Sequence, residues 1–342
     1  MLPYAGMKTR IAINGFGRIG AAAFRIAIER PELEVVAFNG LGSLAMAAHL
    51  LKYDSVYGRY PRTVTTEGED YLVVDGKKYR RFSEKDPTKI PWGEVKADIV
   101  LECTGVFLTR ELASQHLTAG AKHVILSAPA KDKDIGTYVM SVNQADIGTD
   151  TISSNASCTT NCIGPVMKVM MDTFGVEKAM MTTVHSYTAD QNLVDGTHKG
   201  DLRRARGAAL NIIPTSTGAA KAFGRTMPAY QGKFDGFALR VPTPAGSLSD
   251  MSMLLKKDVT VEEVNQALTQ ASQQTEYLGI LAVTNEPIVS HDIIGRSESS
   301  IVDLSLTLVV GGNLVKVVSW YDNECGYANR LVDMAVEAGK KL

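Results

Sequence analysis

The stretch RIAINGFGRIG, residues 10–20, decides the fold of the first half of the chain. Residues 10–14 have the pattern of a short buried strand, and a G-x-G-x-x-G motif follows directly. AAAFRIAIER at residues 21–30 favours a helix, and EVVAF at residues 34–38 favours a second strand. The order of strand, glycine loop, helix and strand predicts a βαβ unit that binds a dinucleotide.

The glycine loop also predicts how the dinucleotide is held. Its glycines permit a tight turn and a close approach of the main chain to the pyrophosphate, which would lie at the helix N-terminus. An acidic residue normally ends the second strand and binds the ribose hydroxyls, but this chain has Asn39 and Gly40 there. Losing that carboxylate removes its repulsion of a 2′-phosphate, which favours NADP or tolerance of both cofactors. Alternatively, Asn39 or the main chain holds the ribose.

Further patterns extend the βαβ unit into a larger sheet and then change in character. In the first half we expect strands at residues 71–75, 98–103 and 123–127, and helices at 44–52 and 110–119. From residue 158 the strands are longer and helices fewer, with strands at 178–185, 236–241, 247–257, 300–310 and 314–320, and helices at 261–272 and 329–341.

The fold class is therefore α/β, with two domains. We predict a doubly wound, Rossmann-type dinucleotide-binding domain at residues 8–157. An α+β catalytic domain with a mixed or antiparallel sheet follows at 158–322, and a C-terminal helix at 323–342 returns to the first domain.

Composition narrows the function classes. The 342 residues carry 36 Lys and Arg against 37 Asp and Glu, a net charge of −1, which disfavours nucleic acid or a membrane surface as the main partner. No run approaches the length of a membrane-spanning helix. The first residues, with Met1 or Met7 as the start, lack the apolar core of a signal peptide, so we expect a cytoplasmic protein.

The cysteines indicate chemistry rather than structure. Four of them, scattered along the chain, are too few for a disulfide scaffold. Cys158 and Cys162 are four residues apart, but no second Cys/His pair lies nearby to complete a metal site, so we expect no metal. A free thiol in such a chain is a candidate nucleophile, with Cys162 more consistent with packing.

A helix that begins at Cys158 would favour that role. Apolar residues recur at helical spacing from residue 163 to 174, and Gly175 marks the end. Ser157 is the expected cap, which puts Cys158 in the first turn, where the helix dipole lowers a thiol pKa. Pro165 lies inside the pattern and predicts a kink or a later start.

A base and a set of anion-binding groups follow along the chain. His185 ends a β-rich run and could exchange a proton with Cys158, whereas the other histidines lack such a setting. Arg203, Arg204 and Arg240, together with the Thr- and Gly-rich residues 214–218, have the chemistry of a phosphate site. Taken alone, the RRAR run could equally be a solvated face or a subunit contact.

NGFGRIG, ASCTTNC, HSYT, DLRRARGAALNIIPTSTGAAKA and WYDNECGY occur in that order. Together they closely resemble phosphorylating glyceraldehyde-3-phosphate dehydrogenases, and the resemblance extends from about Thr9 to Ala338. It implies that Cys158 attacks the aldehyde carbon to give a thiohemiacetal and that His185 acts as the base. Oxidation with NAD or NADP would give a thioester, which inorganic phosphate converts to the acyl phosphate.

The resemblance also implies binding residues and assembly. Thr188 and Arg240 match the pocket for the phosphate of the substrate. The attacking phosphate would meet Ser157, Thr159, Arg204 (Arg203 if the register shifts), Thr217 and Gly218. For the cofactor we expect Gly15, Gly17, Arg18, Ile19, Asn39, Gly40, Lys85, Thr104, Ser127 and Asn323. The family is homotetrameric, so residues 199–206 would reach a neighbouring subunit's cofactor.

Several positions depart from the family pattern. Gly40 replaces the Asp expected at the adenosine ribose, and Gly196-Thr197 replaces the Leu-Pro usual in NAD-specific members. Both changes favour NADP tolerance. Gly200 resembles a one-residue insertion, and Cys325 stands in place of a usual Trp without an assigned role.

Two other functions remain open at this point. Erythrose-4-phosphate dehydrogenase resembles this family but hydrolyses its thioester, and a requirement for phosphate would separate the two activities. A catalytically idle binding protein is the alternative from another class.

Overall fold

The computed structural model describes residues 8–342, so the choice between Met1 and Met7 as the start lies outside the described residues. The chain divides into two compact units. The first contains residues 8–138, 144–156 and 328–342, and the second contains residues 139–143 and 157–327. No helix among residues 8–342 is long and apolar enough to span a membrane.

The first unit is built around a nine-stranded sheet with the order β10-β11-β9-β8-β1-β2-β7-β6-β5. From β10 to β7 neighbouring strands are parallel, whereas β5 and β6 pair antiparallel. The strands of this unit are β1 (Thr9–Asn14), β2 (Leu33–Asn39), β3 (Tyr53–Asp54), β4 (Gly58–Arg59), β5 (Val64–Glu67), β6 (Tyr71–Val74), β7 (Lys77–Phe82), β8 (Ile99–Glu102), β9 (His123–Leu126), β10 (Gly136–Thr137) and β11 (Ile152–Ser154).

Helices cover this sheet and explain its apolar strands. They are α1 (Arg18–Ala27), α2 (Leu44–Lys52) and α3 (Arg110–Thr118). The central strand β8 is fully buried, as expected for a parallel strand covered on both faces. The predicted α/β class with a Rossmann-type first half is confirmed.

Residues 328–342 pack within the first unit, and most of them belong to the last helix, α7 (Cys325–Gly339), which is numbered after the helices of the second unit. A Cβ on Gly339 would lie 2.1 Å from Thr9 Oγ1, so only glycine permits this close approach of the helix to β1. Arg30 and Asp333 form an ion pair at 2.7 Å.

The second unit holds an eight-stranded mixed sheet with the order β13-β14-β12-β15-β19-β17-β16, and β18 pairs with β19. Its strands are β12 (Val176–Ser186), β13 (Ile213–Ser216), β14 (Phe234–Val241), β15 (Ser247–Leu255), β16 (Leu281–Thr284), β17 (Ser300–Asp303), β18 (Leu308–Val310) and β19 (Leu314–Tyr321). Its helices are α4 (Cys158–Phe174), α5 (Ala219–Thr226) and α6 (Val261–Ser272). Short 3-10 turns lie at residues 87–89, 144–146, 228–230, 275–277 and 304–306.

Two details differ from the sequence-based picture. The run 300–310 is not one strand, because the Asp303 side chain accepts from Ser305 N at 3.2 Å and a 3-10 turn separates β17 from β18. Residues 139–143 belong to the second unit rather than to the first. Val139 and Val142 pack so closely on Gly164 that a Cβ there would lie 3.1 Å from each.

Candidate functional site

A cleft of about 540 Å³ opens in the first unit at the carboxyl ends of its parallel strands. Six residues expected to bind the cofactor line it: Gly15, Gly17, Asn39, Gly40, Lys85 and Thr104. The expected residues Arg18, Ile19 and Ser127 are not among its lining residues, and Asn323 lies in the second unit. Such clefts at strand ends are where open α/β sheets bind ligands.

The glycines of this cleft fit a dinucleotide. Gly15 has φ +94°, and a Cβ there would lie 2.9 Å from the main chain of Cys103 and Thr104. A Cβ on Gly20 would lie 1.9 Å from the Gly15 carbonyl oxygen, whereas one on Gly17 would meet nothing within 4 Å. Gly17 also caps α1 without a side-chain hydrogen bond, which leaves room for an anion at that helix N-terminus.

These contacts separate two glycine substitutions. Gly20→Ala should lower the free energy of unfolding by about 2–4 kcal/mol, because its Cβ overlaps the Gly15 carbonyl. Gly17→Ala should keep the wild-type melting temperature and still weaken NAD binding, because its Cβ occupies space that the pyrophosphate needs. Thermal unfolding and NAD titration of both variants check this. Equal destabilisation, or wild-type NAD affinity in Gly17→Ala, would contradict it.

A buried network supports the cleft from beneath. The fully buried Glu102 carboxylate accepts hydrogen bonds from Asn14 Nδ2 at 2.6 Å and from the Thr104 N–H at 2.8 Å, and it also contacts the Thr104 hydroxyl. Trp92 Nε1 donates to His116 Nδ1 at 3.0 Å, so His116 Nε2 carries the proton and donates to Glu102 at 3.0 Å. Four donors therefore fix the carboxylate and, with it, the Thr104 loop.

Asn39 is committed to the same framework. Its amide nitrogen donates to Asn14 Oδ1 at 2.8 Å and to Glu84 O at 2.9 Å, and its Oδ1 accepts from the Glu84 N–H at 2.9 Å. Both amide hydrogens are therefore engaged within the protein. The side chain joins two loops of the cleft and has no donor left for a ribose hydroxyl.

The second unit brings the expected nucleophile and base together. Ser157 caps α4, its hydroxyl accepting from Thr160 N at 3.1 Å, which confirms the predicted helix start at Cys158. Pro165 lies inside α4 without a later start. Strand β12 delivers His185 near its end, and His185 Nε2 lies 3.4 Å from Cys158 Sγ. Cys162, one turn further along α4, is buried with its Sγ 3.9 Å from Ser319 O.

The protonation of the His185 ring follows from its contacts. His185 Nδ1 lies 2.7 Å from the Ser186 carbonyl oxygen, which can only accept, so Nδ1 carries the proton. The Arg240 guanidinium, also a donor, lies 3.2 Å from Nδ1 and donates to Ser186 O at 3.0 Å. The lone pair of Nε2 therefore faces Cys158 Sγ, the orientation that a general base requires.

Burial and charge act together on this pair. Burial raises the pKa of Cys158, while the Arg240 charge and the hydrogen-bond donors of the first helical turn lower it. The expected lowering by the helix terminus is thus present but exceeded by desolvation. Burial, followed by the Arg240 charge, lowers the pKa of His185 to about 3. Both shifts favour a neutral thiol beside a neutral imidazole that can take its proton.

Two arginines and a carboxylate form a hydrogen-bonded cluster next to this pair. Arg240 Nη1 donates to Thr188 Oγ1 at 2.8 Å. Asp190 accepts hydrogen bonds from both the Thr188 hydroxyl and Arg204. Arg204 also donates from Nε to Thr215 Oγ1 at 2.9 Å and from Nη2 to Ser216 O at 3.2 Å. Asp190 therefore holds Thr188 and Arg204 in place, and Thr188 in turn accepts a hydrogen bond from Arg240.

The remaining groups expected at the attacking phosphate have the following positions. Thr217 Oγ1 accepts from Ala219 N at 3.2 Å, and Gly218 caps α5 without a side-chain bond. Thr159 Oγ1 lies 2.9 Å from the hydroxyl of Tyr321. The Arg203 guanidinium, in contrast, donates to Pro214 O at 3.5 Å on an exposed surface. The contacts with Asp190 and Thr215 are made by Arg204.

Sequence reasoning missed two residues of this site. Tyr321 is buried, with its hydroxyl between Thr159 and Thr183 Oγ1, 2.8 Å from the latter, and its ring lies edge-on to His185. Its position two residues after the buried Ser319 of β19 is a signal that strand alternation could have provided. Asp190 had no comparable signal. Asn323, which was expected, accepts from Ser247 Oγ at 2.9 Å, and that hydroxyl also accepts from Ser186 N at 3.1 Å.

Arg240 offers a test of the electrostatics. Arg240→Gln removes a charge that lowers the Cys158 pKa, so that pKa should rise and alkylation by iodoacetamide at neutral pH should slow about three- to tenfold. Alkylation rates measured from pH 6 to 10 by mass spectrometry check this. Lys178→Gln, an exposed site on the same strand as His185, is the matched control. An unchanged profile in Arg240→Gln would contradict the electrostatic role.

Comparison with known proteins gives consistent matches for both units. The model described as glyceraldehyde 3-phosphate dehydrogenase, NAD binding domain, matches residues 9–110. The model of the C-terminal domain of the same enzyme matches residues 157–323.

Whole-chain relatives carry the same description. A glyceraldehyde-3-phosphate dehydrogenase of Geobacillus stearothermophilus is 53% identical over 337 residues, covering 98% of this chain and 99% of the relative. Glyceraldehyde-3-phosphate dehydrogenase 1 of Bacillus subtilis is 52% identical, with 98% and 99% covered. A Streptomyces coelicolor glyceraldehyde-3-phosphate dehydrogenase is 51% identical over 339 residues, with 98% and 100% covered.

Proposed function

Because the chain belongs to the glyceraldehyde-3-phosphate dehydrogenase family, oxidoreductases that act on an aldehyde, we propose a specific reaction for it. It oxidises D-glyceraldehyde 3-phosphate with NAD or NADP and inorganic phosphate to 1,3-bisphosphoglycerate, in glycolysis or gluconeogenesis. The observation that carries the proposal is the 3.4 Å approach of His185 Nε2 to Cys158 Sγ, with Arg240 beside both.

The reaction begins with covalent capture of the aldehyde. Cys158 Sγ attacks the carbonyl carbon, and His185 Nε2 takes the thiol proton and returns it to the aldehyde oxygen, which gives the thiohemiacetal. The nicotinamide, when bound, supplies the hydride acceptor. His185 takes the hydroxyl proton as the carbon is oxidised, which leaves a thioester on Cys158. A phosphate oxygen then attacks the thioester carbon, the Cys158 thiolate leaves, and it takes the proton held by His185, which restores the neutral thiol and imidazole.

Two groups of side chains would bind the two phosphates. Thr188 and Arg240 bind the phosphate of the substrate, since a guanidinium and a hydroxyl together supply charged and neutral donors. The inorganic phosphate meets Arg204, the α5 N-terminus at Thr217 and Gly218, and the hydroxyls of Ser157 and Thr159. Asp190 orients Arg204 and Thr188 for this purpose.

NADP tolerance is supported by the absence of a carboxylate at position 40. A carboxylate there would repel a 2′-phosphate, and Gly40 carries no side chain. Gly196-Thr197 supports the same tolerance, because the resemblance implies Leu-Pro at these two positions in NAD-specific enzymes. Asn192 Nδ2 fixes this turn by donating to Gly196 O at 2.6 Å.

We extend the proposal to a cytoplasmic homotetramer. The outer face of the second sheet carries large apolar side chains that are 70% exposed at Met180 and 46% exposed at Phe237 and Leu314. Such exposure on three strands of one sheet supports contact with another subunit. None of the four cysteines forms a disulfide within residues 8–342, which is consistent with a reducing compartment.

The requirement for phosphate tests the reaction type. With glyceraldehyde 3-phosphate and NAD, sustained NADH formation should need inorganic phosphate and stop after about one turnover without it. Erythrose-4-phosphate dehydrogenase, the hydrolytic alternative, would turn over without phosphate. Arsenate, which resembles phosphate in shape and charge, is the matched control and should restore turnover. Turnover independent of both anions would contradict phosphorolysis.

A further inference from the structure

We propose that Arg81 determines cofactor selectivity by binding the 2′-phosphate of NADP, an inference that rests on the NADP tolerance proposed above. Arg81 belongs neither to the glycine motif nor to the motifs around Cys158 and His185. It is the second-last residue of β7 and lines the cofactor cleft. The strand pairs in parallel with β2, with Arg81 opposite Phe38. Its side chain therefore starts beside the strand end where an acidic residue would bind the ribose.

The guanidinium reaches the loop that follows β2. Arg81 Nη2 donates to Gly40 O at 3.1 Å and to Gly42 O at 2.5 Å. A guanidinium has five N–H donors in a planar fork, so the Nε hydrogen and the two Nη1 hydrogens are not used by these bonds. The side chain is thus fixed at the loop and keeps three donors, which matches the geometry of a phosphate.

The charges around Arg81 favour an anion. Its guanidinium forms no ion pair with a carboxylate among residues 8–342, and it contacts only main-chain carbonyls. Lys85 adds a second cation to the same cleft. Among the described residues that line the cleft, the one acid is Glu84, whose Oε1 accepts from Asp86 N at 3.0 Å. Gly40, where a partner carboxylate would stand, has none.

The other polar side chain at the strand end does not compete for this role. Both amide hydrogens of Asn39 are donated to Asn14 and Glu84, as described above. At the adenosine ribose, NAD and NADP are therefore distinguished by the charge of the protein, and Arg81 is the cation that is hydrogen-bonded to the loop at Gly40.

Arg80 provides a matched control in the same strand. Its guanidinium lies 3.6 Å from Asp70 and donates to the Tyr71 hydroxyl at 3.2 Å, and it is not among the residues that line the cleft. Arg80→Gln and Arg81→Gln therefore remove the same charge one residue apart, on the outside and inside of the cleft.

The test compares binding by the full-length variants. Titration calorimetry with NAD, NADP and adenosine 2′,5′-bisphosphate, with AMP as the probe without a 2′-phosphate, measures the contribution of that phosphate. Arg81→Gln should lower the ratio of NADP to NAD affinity about ten- to hundredfold and weaken the bisphosphate similarly. Arg80→Gln should leave that ratio within about threefold of wild type. Thermal unfolding of each variant verifies the fold.

Gly40→Asp gives an independent second variant. A Cβ at Gly40 would lie 3.4 Å from Phe16 Cβ, an ordinary contact, so the side chain has room. The new carboxylate should pair with Arg81 and lower NADP affinity about tenfold or more. In that background Arg81→Gln should have little further effect on the ratio.

Three results would overturn the role of Arg81: equal weakening of NAD and NADP in Arg81→Gln, no change in either, or wild-type protein that binds the bisphosphate no tighter than AMP. None of these results bears on the phosphorylating activity with NAD, which is measured separately. Conversely, selective loss of the bisphosphate in a protein without dehydrogenase activity would support Arg81 and contradict the proposed function.

Discussion

Replacing Cys158 with alanine should lower kcat for aldehyde oxidation by at least about a thousandfold. The Sγ atom forms the bond to the aldehyde carbon, and no other group described beside His185 Nε2 can replace that covalent step. Steady-state rates with glyceraldehyde 3-phosphate, NAD and phosphate measure the loss. The KM for NAD should change little, because the cleft that holds the glycine loop is formed by other residues.

Cys162→Ala is the matched control for this loss. Cys162 lies one turn further along the same helix, and its thiol is buried against Ser319 rather than facing His185. Its truncation should cost about 1 kcal/mol of stability and leave kcat within a few-fold of wild type. The nucleophile assignment would be wrong if Cys158→Ala kept a tenth of the activity, or if Cys162→Ala lost as much as Cys158→Ala.

The second large effect is expected at His185. His185→Gln keeps a polar group near Cys158 but removes the lone pair of Nε2, so kcat should fall by about 10²–10⁴. Burial and Arg240 hold the His185 pKa near 3, so the ring is a neutral acceptor across the working pH range. The rate of the first turnover, followed by absorbance of the reduced cofactor in a stopped-flow instrument, isolates the oxidation step.

His49→Gln is the matched control, because His49 is exposed on α2 and lies in the first unit. It should retain wild-type rates. An oxidation rate in His185→Gln within threefold of wild type would show that proton transfer in this step does not depend on the imidazole.

Local features of the site could be predicted from the sequence. The Ser157 cap and the apolar stripe after it place Cys158 at the start of α4, and the structure has that helix. Pro165 misled the prediction of a later start, because α4 begins at Cys158 and continues through the proline among buried residues. The glycine motif likewise predicted a tight turn after β1, and Gly15 has φ +94° there.

Features that depend on distant residues were beyond the sequence. Asp190 acts through Arg204, fourteen positions later, and Tyr321 reaches Thr159 across the second unit. Strand alternation could have placed Tyr321 on the buried face of β19, but no periodicity or spacing indicates which residue either side chain contacts. Arg81 is similar, since its importance follows from pairing of β7 with β2 and from what Gly40 lacks.

The most direct test of the account is to trap the acyl group on the protein. Wild-type enzyme mixed with glyceraldehyde 3-phosphate and NAD without phosphate, then acid-quenched and digested, should carry one acyl group on the peptide that contains Cys158. About one reduced cofactor should form per chain, and adding phosphate should release the group. An acyl group on a different residue would contradict the account. So would more than one reduced cofactor per chain while Cys158 stays unmodified.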